Sequence, residues 1–140
     1  MPFEYLDHTA DICLQGIGKT VEAAFAEAAR ATFNLMVDLQ EVSAREVIHV
    51  LEEENDLDLL LVSWLATLLA KSSLSGMILS RFHVDISKVE GGFSLRGEGW
   101  GELLDPGRHR TKTEVKGVTY AGLRVFQADG VWIAQCVIDI

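Results

Sequence analysis

The stretch from Leu57 to Ala70 constrains this chain more than any other. Leu57, Leu60, Leu61, Trp64, Leu65, Leu68 and Leu69 recur at helical spacing and make a broad apolar stripe. A helix of that kind belongs at the centre of a core. Asn55 stands where it can cap the helix, with Asp56 and Asp58 in the first turn. The end is expected between Lys71 and Gly76. On this stripe Trp64 is a core residue rather than a stacking platform. Asp58 breaks the apolar run, which is too short to read as a bilayer span.

The remaining segments supply the layers around that helix. A short strand is expected over Phe3 to Leu6, and a second over Asp11 to Ile17, loosened at its end by Gly16 and Gly18. Thr20 is a good N-cap for a helix over Val21 to Met36, whose alanines allow close packing. Glu46 to Glu52 alternates poorly, as a strand buried on much of both faces would, and His49 within it reads as an edge or paired histidine. Met77 to Val89 and Phe93 to Glu102 form a hairpin about Glu90-Gly91-Gly92. Thr113 to Gln127 reads as one long strand containing Lys116, and Asp129-Gly130 turns it into a last strand over Val131 to Ile140. Two helices and six to seven strands predict a single α+β domain over residues 1–140, with the helices packed on a largely antiparallel or mixed β-sheet.

Composition narrows the function. The 140 residues are 49% hydrophobic, enough for a substantial core. The formal net charge of −9 disfavours direct grip on a nucleic-acid backbone or an anionic membrane, and permits a metal cation or a basic protein partner. Cys13 and Cys136 show no zinc-ligand spacing and read as small buried hydrophobes in a reducing compartment. The first residues lack the features of a signal peptide. A soluble, cytoplasmic protein is expected.

Chemistry concentrates at the two ends. Asp7, His8 and Asp11 lie close together in the opening stretch, and Asp139 precedes Ile140 at the other end. If the ends meet, Asp11, His8, Asp139 and the carboxylate of Ile140 form an oxygen-rich cluster suited to calcium, magnesium or manganese. The alternative is ordinary loop chemistry: a turn at Asp7 and Thr9, and an acid at a strand end. Both readings stay open. Gly97, Gly99 and Gly101 interleave with Glu98, Trp100 and Glu102, which points to a bulge or to a close approach of another backbone. Glu98 and Glu102 are compatible with a solvated row. Arg108, His109, Arg110 and Lys112 form a basic loop, either a solvated rim or an anion-docking point. No P-loop, GxGxxG, GxSxG or HExxH pattern is present.

Taken in order, Tyr5-Leu6-Asp7-His8-Thr9-Ala10-Asp11-Ile12, the helix from Thr20 to Asp38, Gly99-Trp100-Gly101-Glu102, Thr113-Glu114-Val115-Lys116-Gly117-Val118-Thr119-Tyr120 and Val137-Ile138-Asp139-Ile140 resemble the archease family from end to end. The resemblance implies an archease-like fold and an accessory protein, not a catalyst. The expected partner is the GTP-dependent RNA ligase of tRNA splicing, whose metal-dependent guanylylation and multiple turnover an archease promotes. It further implies a metal site at Asp11, Asp139 and Ile140, filled by calcium at rest, with manganese or magnesium as alternatives, and ligase-activating roles for Lys116, His8 and Asp38. Gly117 departs from the alanine many relatives carry, a small change that leaves Lys116 in place. The loop from Leu103 to Lys112, with His109, takes no role from the resemblance. Two rival readings are a metal-dependent phosphoester hydrolase and a chaperone or modulator of another tRNA-processing enzyme such as a methyltransferase. Oligomeric state is not legible.

Overall fold

In a computed structural model, the structure describes residues 2–6 and 11–140. Strands β1 (Phe3–Leu6) and β2 (Asp11–Gly18) lead into helix α1 (Val21–Met36) and a 3-10 turn at Leu39–Glu41. Strand β3 (Glu46–Glu54), helix α2 (Leu57–Ser75) and strands β4 (Met77–Val89) and β5 (Gly92–Leu103) follow. Strands β6 (Gly117–Ala128) and β7 (Val131–Asp139) close the chain. The expected turn at Asp7-His8-Thr9 lies outside the described residues.

The strands form two antiparallel sheets, ordered β1-β2-β7-β6 and β3-β5-β4. Both helices touch both sheets: α1 packs on β2, β7 and β4, and α2 on β6, β3 and β5. That arrangement explains the composition of α2. By length and composition this helix meets the requirement for crossing a membrane, more than the apolar run alone implied. Yet Leu60, Leu61, Trp64, Leu65 and Leu68 are fully buried between the sheets. A helix apolar on most sides needs cover on most sides.

Glycines set how closely the layers approach. A Cβ at Gly16 would lie 2.2 Å from Ala24 O, so α1 presses its alanine face directly onto β2. Gly16 therefore docks the helix rather than loosening the strand. Gly97 does the same for α2, because a Cβ there would lie 2.3 Å from Trp64 Cζ3. Of the two readings of the glycine strand, the close backbone approach holds, because a Cβ at Gly101 would collide with Ile78 O; the register irregularity sits on the partner β4, between Leu79 and Arg81.

Several boundaries differ from the sequence reading. The α2 cap is Asp56, whose carboxylate accepts the Leu59 N–H at 2.8 Å, rather than Asn55. β3 alternates cleanly: Ile48 and Val50 are buried while Val47, His49 and Leu51 are exposed. It is an edge strand with one solvated face, and His49 there lies 3.9 Å from Glu98. The long strand expected from Thr113 starts only at Gly117 and is interrupted between Thr119 and Arg124, so Lys116 precedes the strand. Thr113 and Lys112 instead donate to the carbonyls of Leu35 and Met36 at the end of α1. The Asp129-Gly130 turn has positive φ at both residues (52° and 79°), as a type I′ hairpin requires. Cys13 and Cys136 are free and buried. Burial, helped by Cys13, pushes the Cys136 thiol up to about 12.

Candidate functional site

The register of the four-stranded sheet brings the two ends of the chain together. Asp11 on β2 pairs directly with Asp139 on β7, and Gly117 on β6 pairs with Asp139 from the other side. Lys116, one residue ahead of β6, donates its N–H to Asp139 O at 2.8 Å. Asp11 and Asp139 on adjacent strands, and the main chain of Lys116 just ahead of the next one, thus meet at one end of the sheet.

Directly opposed residues of an antiparallel pair share a face, with Cβ atoms about 4.5–5.5 Å apart. Asp11 and Asp139 are both half-buried, so two carboxylates face the same small region. Opposed like charges destabilise a sheet unless something compensates them. On the other flank of Asp139, a Cβ at Gly117 would meet nothing within 4 Å among the described residues. The site is all-oxygen, acidic and has room beside it, and these properties fit a hard divalent cation. The described residues contain no group of three His, Cys, Asp or Glu side chains able to hold a metal. Further donors would come from Ile140, whose oxygens follow Asp139 directly, or from outside the described residues, where His8 falls.

Asp38 stands elsewhere, on the loop after α1. It is exposed, and its carboxylate accepts the Gln40 N–H at 3.1 Å to cap the 3-10 turn. Lys116 is exposed and borders a groove of about 810 Å³ beside α2.

Half of the basic loop is tied down: Arg108 and His109 close on Glu102, whereas Arg110 and Lys112 stay exposed. Glu102, buried at the end of β5, accepts Arg108 Nη2 and Nη1 at 2.9 and 3.2 Å and the Ser43 N–H at 2.8 Å. His109 is 1% exposed. Its Nδ1 accepts the Asp105 N–H at 2.9 Å, so Nε2 bears the hydrogen and donates to Glu102 at 2.9 Å. Glu102 and Glu98 therefore form no solvated row: Glu98 faces His49 and His83 across the sheet. The sequence reading missed this clasp. Its only trace was an acid ending the glycine strand shortly before two basic residues and an Asp-Pro-Gly turn.

The Ser43 N–H first, then His109 and Arg108, outweigh burial and pull the Glu102 carboxyl down to about 2. A carboxyl depressed on folding stabilises the fold fully above its ordinary value of 4.5 and loses that contribution as pH falls through about 2. Urea unfolding followed from pH 5 to pH 2 should show a steeper acid decline for wild type than for Glu102→Gln. Parallel declines would rule out the clasp as the titrating element.

Comparison with known proteins decides the family. The model of the Archease protein family (MTH1598/TM1083) matches residues 3–140. This chain belongs to the archease family. Protein archease of Thermococcus gammatolerans is 41% identical over 99% of this chain and 98% of its own length. The Methanopyrus kandleri archease is 40% identical over 100% of both chains. The solution structure of protein 1598 from Methanobacterium thermoautotrophicum superposes with a TM-score of 0.89 at 33% identity, covering 99% of each chain. A crystal structure from Thermotoga maritima, described as an archease and possible chaperone, aligns with a TM-score of 0.59 at 20% identity over 96% and 94% of the two chains, a likeness of fold alone.

Proposed function

We propose that this archease is an accessory protein, not itself a catalyst, that activates a GTP-dependent RNA ligase by promoting its metal-dependent guanylylation and repeated turnover. The observation that supports this is the meeting of Asp11, Asp139 and the Lys116 main chain at one sheet end. Asp11, Asp139 and Ile140 would hold the ion, with His8 contributing from the same opening stretch. Calcium is the expected resting occupant, with manganese or magnesium as alternatives. A bound divalent ion would supply positive charge where nucleotide phosphates and departing pyrophosphate are negative. Lys116, exposed beside the acidic pair, offers an ammonium to a phosphate or to an acidic group of the ligase. Asp38 presents an exposed carboxylate after α1 that fits a contact with the same partner. The net charge of −9 favours approach to the basic, RNA-binding mouth of a ligase and disfavours RNA itself. A cytoplasmic location follows from that partner.

The test is single-turnover guanylylation of the same organism's RNA ligase with GTP and manganese, with and without this protein. Wild type should accelerate the step. Asp11→Ala and Lys116→Ala should each lose on the order of tenfold or more, the scale of metal-site perturbations. No acceleration at any ratio would remove the reading, and manganese-dependent phosphatase activity of the protein alone would favour a hydrolase instead.

A further inference from the structure

The groove beside Lys116 has a chemistry of its own. It opens between the second half of α2, the start of β4 and the 111–118 segment. Its floor is apolar: Leu69, Met77, Ile78, Val115 and Val118 line it. From Leu104, which also lines it, apolar surface continues around the end of α2. Leu104 is 41% exposed and Leu103 60%; the Gly76 carbonyl accepts the Leu104 N–H at 2.9 Å, and Leu74, 89% exposed, stands in the last turn of α2 two residues before Gly76. Clustered exposed leucines running into a groove mark an interaction surface rather than scattered surface residues.

Charge indicates what the surface takes. The chain carries 21 acids against 12 lysines and arginines. The groove wall reverses that balance, with Lys112 and Lys116 exposed beside the single acid Glu114. We propose that the groove docks a partner protein through an extended segment in which bulky apolar side chains alternate with carboxylates. The apolar residues would fill the floor, and the carboxylates would reach Lys112 and Lys116. An extended backbone suits the site because β6 is the edge strand of its sheet. Asp58 occupies the far part of that edge by accepting the Val125 N–H at 2.7 Å, whereas Gly117 and Val118 open on the groove. A peptide added there would gain main-chain as well as side-chain contacts. RNA fits poorly: the lining has no aromatic side chain to stack a base and only two lysines for phosphates. That the partner is the RNA ligase rests on the reading above; the groove chemistry does not.

The test is a nitrogen-15 NMR titration of the full chain with a short synthetic peptide alternating leucine and glutamate. Three comparisons accompany it: the same peptide with lysine for glutamate, a single-stranded RNA of similar length, and the variants Ala70→Glu and Lys112→Glu. Ala70 and Lys112 are exposed positions on the groove wall, so both variants retain the fold. The acidic peptide should give saturable shifts at Ala66, Leu69, Val115 and Lys116. Affinity should fall by about tenfold or more for the lysine peptide and for each variant, and stay unchanged in Lys88→Ala, exposed at the end of β4 away from the groove. No saturable shifts at the groove, equal affinity for both peptides, or shifts produced by the RNA alone would each overturn the proposal. The ligase is titrated in parallel. Peptide binding without ligase binding removes the ligase as partner and leaves the groove standing; loss of both in Ala70→Glu identifies the ligase segment as the occupant.

Discussion

Trp64→Ala is expected to cost about 4 kcal/mol of stability, within the range of roughly 3–5 kcal/mol for truncating a fully buried aromatic. Trp64 has no exposed surface and joins three elements at once. Its Nε1–H donates to Phe25 O on α1 at 3.0 Å, its ring meets Phe82 of β4 edge-on at 6.5 Å, and its far edge fills the space left by Gly97 on β5. Urea unfolding should show a lower midpoint at unchanged slope. The half-exposed Trp100 should lose far less when truncated. Gly97→Ala supplies the stronger check. Alone it forces a Cβ into the indole and should destabilise by about 1–3 kcal/mol. In the Trp64→Ala background the same change should be nearly neutral, because the clashing ring is gone. Additive losses in the double mutant would mean that this pair does not set the spacing of α2 and β5.

The second large effect concerns the acidic pair. If Asp11 and Asp139 hold a cation as proposed, calcium at about one hundred times its Kd should raise wild-type stability by about 2.7 kcal/mol, and chelation should remove that gain. Asp139→Asn should lose the calcium response entirely. In metal-free buffer the same variant should stay within about 1 kcal/mol of wild type, the scale of a single cross-strand pair. Thermal unfolding with calcium, manganese, magnesium and chelator measures both. Midpoints that ignore every ion in wild type would remove the metal site, and a destabilised metal-free Asp139→Asn would show that the carboxylate has a structural partner of its own.

Much of this architecture is visible in residue patterns because its determinants are local. The 3.6-residue spacing from Leu57 to Leu69, the Thr20 cap and the Asp129-Gly130 turn each act within a few residues. The errors fall where the determinant is distant. The segment from Thr113 to Lys116 has strand-like residues, but its main chain is claimed by Leu35 of α1 and by Asp139 of β7, so it crosses between elements instead of pairing as a strand. Glu102, Arg108 and His109 read as surface charge until Ser43 and Asp105 close around them.

The functional reading divides along the same line. The opening and closing acids, the lysine of Thr113-Glu114-Val115-Lys116 and the family they indicate are properties of residue identity and order. That Asp11 opposes Asp139, and that Lys116 is tied to the same strand, depends on the β2–β7 register and the crossing strap. So does the apolar groove, whose walls come from α2, β4 and a loop. The physical reason is range. Side-chain periodicity and capping are settled by near neighbours along the chain, whereas a shared face or a groove exists only once segments more than a hundred residues apart, such as Asp11 and Asp139, have been fixed in register by the burial of the core between them.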